Sequence, residues 1–549
     1  MTAALPSRTL ALAAATLLLG GLVTGCQNGA RNDSAGSTVD TSQLISSLPP
    51  AKGEVAKITW NVGSEPDTLD PRNAVNYGSG QIVRNMCEAL LKMDADFNIS
   101  ENLASSYQQV SPTELKLTIR DGVKFWDGKP LTAEDVVFSL NRAKAEDSTV
   151  NSGFVAVKDI AATGPMEVTV TFNEPDETFV KTLATLAGVV VEKAWAEQAG
   201  DQVGTATGGL MCTGPYTFTN WRAGSGITIT RNDAYWNADL KPKAKQVDFT
   251  FVADDTALAQ ALDAGEIDGS YELPVSTLNK LTGSKTGKVV FGPSTQSASL
   301  YVARPDGPLQ DLKLRDALQR VIDRDALTKV VFNGSADPNY THLTPETWPT
   351  AERSIYQPDY DKWAAARSFD LEAAKKLLAE SSYNGAPLQL AILAGDQVSG
   401  RVAQLFQQQA KAIGVNVEIQ SMQPLVFDQA GYDATKRQGV DLMYTTNFNT
   451  LQNPIEPLSF DLLPGQPYNY TNFDNADVTR LLSQARAATD PKQSAQYVVQ
   501  AQDIFEPSSS VIPLVANHEA SFINNKLTGA PTSFAYWSMP QMAYIGAAQ

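Results

Sequence analysis

The 549-residue chain has two histidines, His342 and His518, and they lie far apart in sequence. A Ser-His-Asp triad needs an imidazole as general base, and metal sites commonly use more than one, so histidine-dependent catalysis and multi-histidine metal binding have little material to work with. No GxSxG elbow, HExxH helix, CxxC pair or GxxxxGK[ST] loop occurs. Paired carboxylates are the one catalytic arrangement that 60 acidic side chains leave open, because any two could meet in a cleft. The chain is therefore not read as an enzyme. No catalytic residue, cofactor or metal is assigned, and both histidines are read as structural or surface residues rather than metal ligands.

Charge and composition narrow the partners. Sixty acidic against 43 basic residues leave a net charge of −17, which repels phosphate backbones and anionic headgroups, so nucleic acid is not an expected partner. With 43% hydrophobic and 19% charged residues the chain has an ordinary globular balance. At about 150 residues per domain the length suggests three to four structural units.

Residues 1–26 form a signal segment: Arg8, then the apolar run Leu10–Gly21, then Leu22-Val23-Thr24-Gly25-Cys26. The run is too short to span about 30 Å of hydrocarbon comfortably, and no mature transmembrane helix is expected. Thr24 and Gly25 before Cys26 resemble a bacterial lipobox, in which the cysteine is acylated and becomes the new N-terminus; a plain secretory signal with an incidental cysteine is the alternative. Residues 27–56, rich in Gly, Ser, Asn, Asp and Thr and containing Pro49-Pro50, read as a flexible tether. The expected location is the outer face of the bacterial cytoplasmic membrane, held there through lipid on Cys26. Two thiols, Cys87 and Cys212, then remain in an oxidising compartment, either as a disulfide or as two buried free thiols.

The elements that must position any site alternate through the body. Strand alternation marks Leu115–Ile119, Val168–Phe172 and Val247–Phe251. Val402, Leu405, Phe406, Ala410 and Ile413 have helical spacing, Gly414 is placed to end that helix, and Val415–Ile419 alternates as a strand. Leu314, Leu318, Val321 and Ile322 form another apolar stripe, and Thr132 with Asp135 resembles a capping box. Interleaved strands and helices point to an α/β fold with mixed sheets.

Several segments, taken in order, resemble the peptide-binding family of ABC-importer substrate-binding lipoproteins, which includes dipeptide, oligopeptide and nickel receptors. They are Gly63–Pro71 (GSEPDTLDP), Asn85–Leu91 (NMCEALL) and, most specific, Arg120–Leu140 (RDGVKFWDGKPLTAEDVVFSL). Cys212–Tyr216 (CTGPY) with Trp221, Arg231–Trp236 (RNDAYW), Gly265–Asp268 (GEID), Leu314–Leu318 (LRDAL), Glu372–Leu378 (EAAKKLL) and Ile512–Leu514 (IPL) follow in family order. The resemblance implies a two-lobed periplasmic-binding-protein-like fold with a hinge and a third inserted domain. Domain I then takes residues 57–88, 185–298 and 510–549, domain II 89–184 and domain III 299–509. It further implies a monomer that closes on a peptide or peptide-like ligand and delivers it to separate ABC permease and ATPase subunits. It also brings the segments of Cys87 and Cys212 close, which supports the disulfide.

Most of the signature reads as core and turn: Asp121-Gly122 and Asp127-Gly128 flank the buried ring pair Phe125-Trp126. Ligand contacts are expected from loops and strand ends, at Asn76, Tyr77, Tyr271, Glu272, Thr446, Asn447 and Phe448. In peptide-binding relatives an aspartate after a Trp-containing strand often pairs with the ligand's ammonium. Here the corresponding strand is Asp441–Asn449 (DLMYTTNFN), and the nearest match is Asn447. Three readings follow: a blocked or modified peptide, a non-peptide solute such as a glycoside or metal chelate, or a clamp moved elsewhere, for instance to Glu272. A sensor lipoprotein that passes its ligand to a signalling partner shares every one of these features.

Overall fold

In a computed structural model of the chain, the described residues are Thr41, 43–74 and 76–549. Cys26, the signal segment and the tether up to residue 40 lie outside them. The far end of the segment read as a tether is bonded to the body: the N–H groups of Ile45, Leu48 and Lys52 donate to the carbonyls of Phe291, Ala530 and Ala547. Peptide groups that find such partners stay with the fold whatever their polar composition.

Two large mixed sheets dominate. The first has seven strands in the order Gly287–Gly292, Glu519–Asn524, Gly269–Ser270, Val55–Asn61, Ala244–Thr250, Gly226–Arg231 and Tyr216–Arg222. Val55–Asn61 runs parallel to both of its neighbours, and the other pairings are antiparallel. The second has six strands in the order Ala336–Pro338, Val511–Asn517, Ser297–Val302, Leu442–Asn447, Leu388–Leu393 and Val417–Met422. A separate antiparallel sheet of four strands is formed by Ala104–Ser111, Glu114–Ile119, Glu167–Phe172 and Val157–Gly164. Each sheet has its own apolar core, and a fourth core is made by helices among residues 343–505. Fully burying one Leu, Ile, Val or Phe contributes about 1.5–3 kcal/mol, so each of these cores holds its part of the chain firmly.

The sequence patterns appear as elements. The 402–413 periodicity belongs to the helix Gln397–Ala412, whose N-cap Asp396 accepts from the N–H groups of Val398 and Ser399. Thr132 and Asp135 cap the helix Ala133–Lys144 reciprocally. Cys87 and Cys212 are joined as a disulfide, with Cα atoms 5.0 Å apart. Beside it a Cβ on Gly214 would come within 2.2 Å of the Met86 carbonyl oxygen, so only glycine lets the two segments approach this closely.

The chain passes between the two large sheets only twice among the described residues. It leaves the first sheet at Gly292 and enters the second at Ser297, then returns from Asn517 to Glu519 through the single residue His518. The two crossings are bonded together by the Asn517 N–H, which donates to the Gln296 carbonyl at 3.0 Å. Two short, adjacent connections between rigid bodies are what a hinge requires.

Candidate functional site

Beside these crossings lies a cavity of about 590 Å³, within the range of small-ligand sites. One wall belongs to the seven-stranded side, with Tyr77, Asp254, Asp255, Glu272, Leu273 and Glu519. The other belongs to the six-stranded side, with Phe332, Ser335, Asp396, Arg401, Tyr444 and Thr446, and Gln296, Asn517 and His518 of the crossings lie between the two. The halves also touch around the cavity. Phe448 packs against Tyr77, Phe534 and Trp537 with ring centroids 4.9, 5.5 and 5.7 Å apart. Further out, Arg486 reaches Asp176 at 3.3 Å and the Thr178 hydroxyl at 3.0 Å, while the Glu177 N–H donates to the Arg486 carbonyl.

The residues singled out from sequence fall into three groups. Tyr77, Glu272 and Thr446 line the cavity. Asn76 caps the helix Tyr77–Met86 by accepting from the Ser79 N–H at 2.7 Å, and its amide donates to Asp67. Tyr271 and Phe448 are packed behind the wall, Tyr271 stacked face to face on Tyr536 at 3.9 Å and set against Trp60 at 4.9 Å. Asn447 ends the strand Leu442–Asn447, and its amide donates to the Tyr301 hydroxyl. Tyr301 in turn donates to Asp461 at 3.0 Å, and the same Asp461 oxygen lies 2.6 Å from His342 Nε2. His342 is thus tied into a buried chain of polar groups that are satisfied within one half of the molecule.

The opposite wall is satisfied differently. Glu272 adopts φ +52°, a left-handed conformation that costs a non-glycine residue energy, and its N–H donates to Glu519 Oε1 at 2.9 Å. Its carboxylate accepts from the Tyr536 hydroxyl at 2.7 Å and from the Gln296 amide at 3.2 Å. Gln296 also meets the Tyr77 hydroxyl at 3.1 Å, so the first crossing, the helix start and Glu272 form one network. Burial pushes the Glu272 carboxyl up to about 8 despite the hydrogen bonds from Tyr536 and Gln296. Glu519 is 1% exposed, and burial followed by the neighbouring Glu272 charge holds its carboxyl well above the usual range. Among the described residues, Glu519 Oε2, His518 Nδ1 and Asn517 Oδ1 are buried without a hydrogen-bond partner.

Sequence reasoning missed Gln296, Arg401, Asn517, His518 and Glu519. A signal was present for the last three: Asn517-His518-Glu519 is a polar triplet between the apolar runs Val511–Ala516 and Ala520–Ile523. Such an interruption of a buried strand pair marks either a bend or a site.

Comparison with known proteins agrees with this architecture. Residues 98–493 match the model of the bacterial extracellular solute-binding proteins, family 5. The glutathione-binding protein GsiB of Salmonella typhimurium is 28% identical over 519 residues, covering 91% of this chain and 96% of that protein. The substrate-binding protein CtaP of Listeria monocytogenes superposes with a TM-score of 0.79 at 21% identity, covering 90% of this chain and all of that one. DppA of Helicobacter pylori, solved with the peptide STSA, superposes with a TM-score of 0.77 at 19% identity, covering 91% and 99% of the two chains. With its two hinged lobes and the cleft between them, the chain belongs to the family 5 extracellular solute-binding proteins, the extracytoplasmic binding components of ABC importers.

Proposed function

We propose that this protein captures a small peptide-like solute carrying a free amine and a carboxylate, closes on it about the two crossings, and hands it unchanged to separate permease and ATPase subunits. The observation that carries this reading is the pairing of charge types across the cavity: Glu272 and Glu519 line one wall, and solvent-exposed Arg401, with the helix-capping Asp396, lines the other. A zwitterion laid across the gap meets charge of opposite sign at each end, and a charge-assisted hydrogen bond is roughly twice as strong as a neutral one. The relatives support the ligand class, since GsiB is named for glutathione and the H. pylori DppA structure holds a four-residue peptide. The protein acts as a monomer, not as an enzyme, and Cys26 carries the lipid that keeps it at the membrane.

A thermal-shift panel tests the reading. Glutathione, triglycine, single amino acids and neutral sugars are offered at rising concentration. A true ligand at 100 times its dissociation constant adds about 2.7 kcal/mol to stability. Stabilisation by the peptides and not by the sugars is expected. A response confined to sugars, or to none of them, would contradict the reading.

A further inference from the structure

We infer that the Glu272 carboxylate, positioned and backed by Glu519, is the subsite that receives the ligand's ammonium group. This rests on the reading of the cleft as a peptide receptor and assigns the cation-binding residue within it.

The geometry leads there by elimination. Buried carboxylates are almost always paired with a cation or relieved by a proton. Here two lie side by side, tied by the Glu272 N–H to Glu519 Oε1, with no lysine or arginine among the groups acting on either. The groups facing them are Gln296 from the first crossing, His518 from the second, Tyr77 from its helix, Tyr536 from the turn Phe534–Ser538 and the adjacent Tyr271. None of these supplies the permanent positive charge that the pair lacks.

A second observation points the same way. Among the described residues Glu519 Oε2 and Asn517 Oδ1 are buried acceptors without partners, and both residues line the cavity. His518 Nε2 is hydrogen-bonded to Asp337 Oδ2 at 3.0 Å. An ammonium has three N–H donors and no acceptor, so it suits a corner made of unsatisfied acceptors. Among the described residues no group of three or more His, Cys, Asp or Glu side chains could hold a metal, which favours an organic cation. Glu272, half-buried, keeps surface toward the cavity and makes the contact. Glu519, fully buried behind it, fixes the strained Glu272 backbone and adds negative field.

The position differs from the strand end where the sequence places Asn447. There the amide donates into its own half of the molecule, and Asp461, one hydrogen bond further along, is already engaged by Tyr301 and His342. The charge a free amine needs therefore lies on the other side of the cleft.

Calorimetric titration of the protein with triglycine and with N-acetyl-triglycine, each in two buffers of different ionisation enthalpy, tests the assignment. Triglycine should bind about ten- to a hundredfold more tightly than the acetylated form. Near neutral pH it should release a proton on binding, because the incoming ammonium takes the proton's place at the pair. Glu272→Gln should bring the two peptides to similar affinity. Glu519→Gln, which leaves the contact residue in place, should weaken triglycine more than its acetylated form, an effect that mere structural damage would not produce. Equal binding of both peptides by the unaltered protein, or triglycine binding without proton release, would overturn the assignment while leaving peptide capture intact. Failure of both peptides and of glutathione to bind would overturn the capture reading and the assignment together.

Discussion

The two halves of the molecule both hold acids out of water, and they handle them in opposite ways. On the six-stranded side Asp461 is held by His342 and Tyr301, and the chain of hydrogen bonds ends on Asn447 within the same half. On the seven-stranded side Glu272 and Glu519 lean on each other, on two neutral donors and on a serine, with no cation. A polar network closed on itself holds a fold together, whereas one that lacks a counter-charge waits for something to supply it. On the proposed reading, local completeness separates scaffold from site, although the residue types are nearly the same.

The sharpest way to break this contrast is to remove the anchor of the closed network. Asp461→Asn leaves His342, whose side chain is 5% exposed, without its anionic partner, and should cost about 3–5 kcal/mol in denaturant unfolding. Glu272→Gln should cost nothing comparable, since it replaces a buried acid that has no counter-charge. Equal losses in the two variants would erase the distinction.

pH offers a second handle, smaller in size. The folded Glu272 carboxyl titrates at about 8, above its unfolded value, so the folded state holds more protons, and its contribution to stability falls as pH rises from about 4.5 toward 8. His342 is raised too: burial would lower it, but the Asp461 hydrogen bond and charge outweigh that. Its contribution is fully present below about pH 6.5 and is lost as pH rises through the folded value. Thermal melts across pH 4–9 should therefore decline toward alkaline pH, with the slope reduced in Glu272→Gln. An unchanged slope would show that Glu272 is not the group responsible.

Asn447→Asp restores a carboxylate to the strand end. It removes the amide that donates to Tyr301, whose own proton is already given to Asp461, so the new anion faces an oxygen. A loss of about 1–2 kcal/mol in stability with no gain in triglycine affinity is expected. A tenfold gain would place the ammonium site on that side after all. The smallest effect concerns closure: Arg486→Ala removes the ion pair with Asp176 and should speed ligand release about fivefold in stopped-flow measurements, with little change in association.

How much of this could be read from the sequence follows from distance along the chain. The capping box at Thr132, the helix ending before Gly414 and the strands near residues 115, 168 and 247 are set by periodicity and caps within a few residues, and the structure places elements there. The segment from Arg120 to Leu140 carried the family resemblance for the same reason, as a dense local run of turns and core positions. Glu272 was named as a cleft residue, but as the ammonium clamp only as one of three readings, because nothing near it in sequence shows which acids would meet it. Its partner Glu519 is 247 positions away and joins it only after the second crossing returns the chain to the first sheet. Asn447 drew attention by position in a motif, yet its partner Tyr301 lies 146 positions away.

The most direct test of the central claim is mass spectrometry of the small molecule released when the purified protein is denatured, followed by rebinding of that molecule to fresh protein. The account predicts a compound bearing a primary amine and a carboxylate that rebinds and is recovered with its mass unchanged. A released compound without an amine, or one whose mass changes on incubation with the protein, would contradict it.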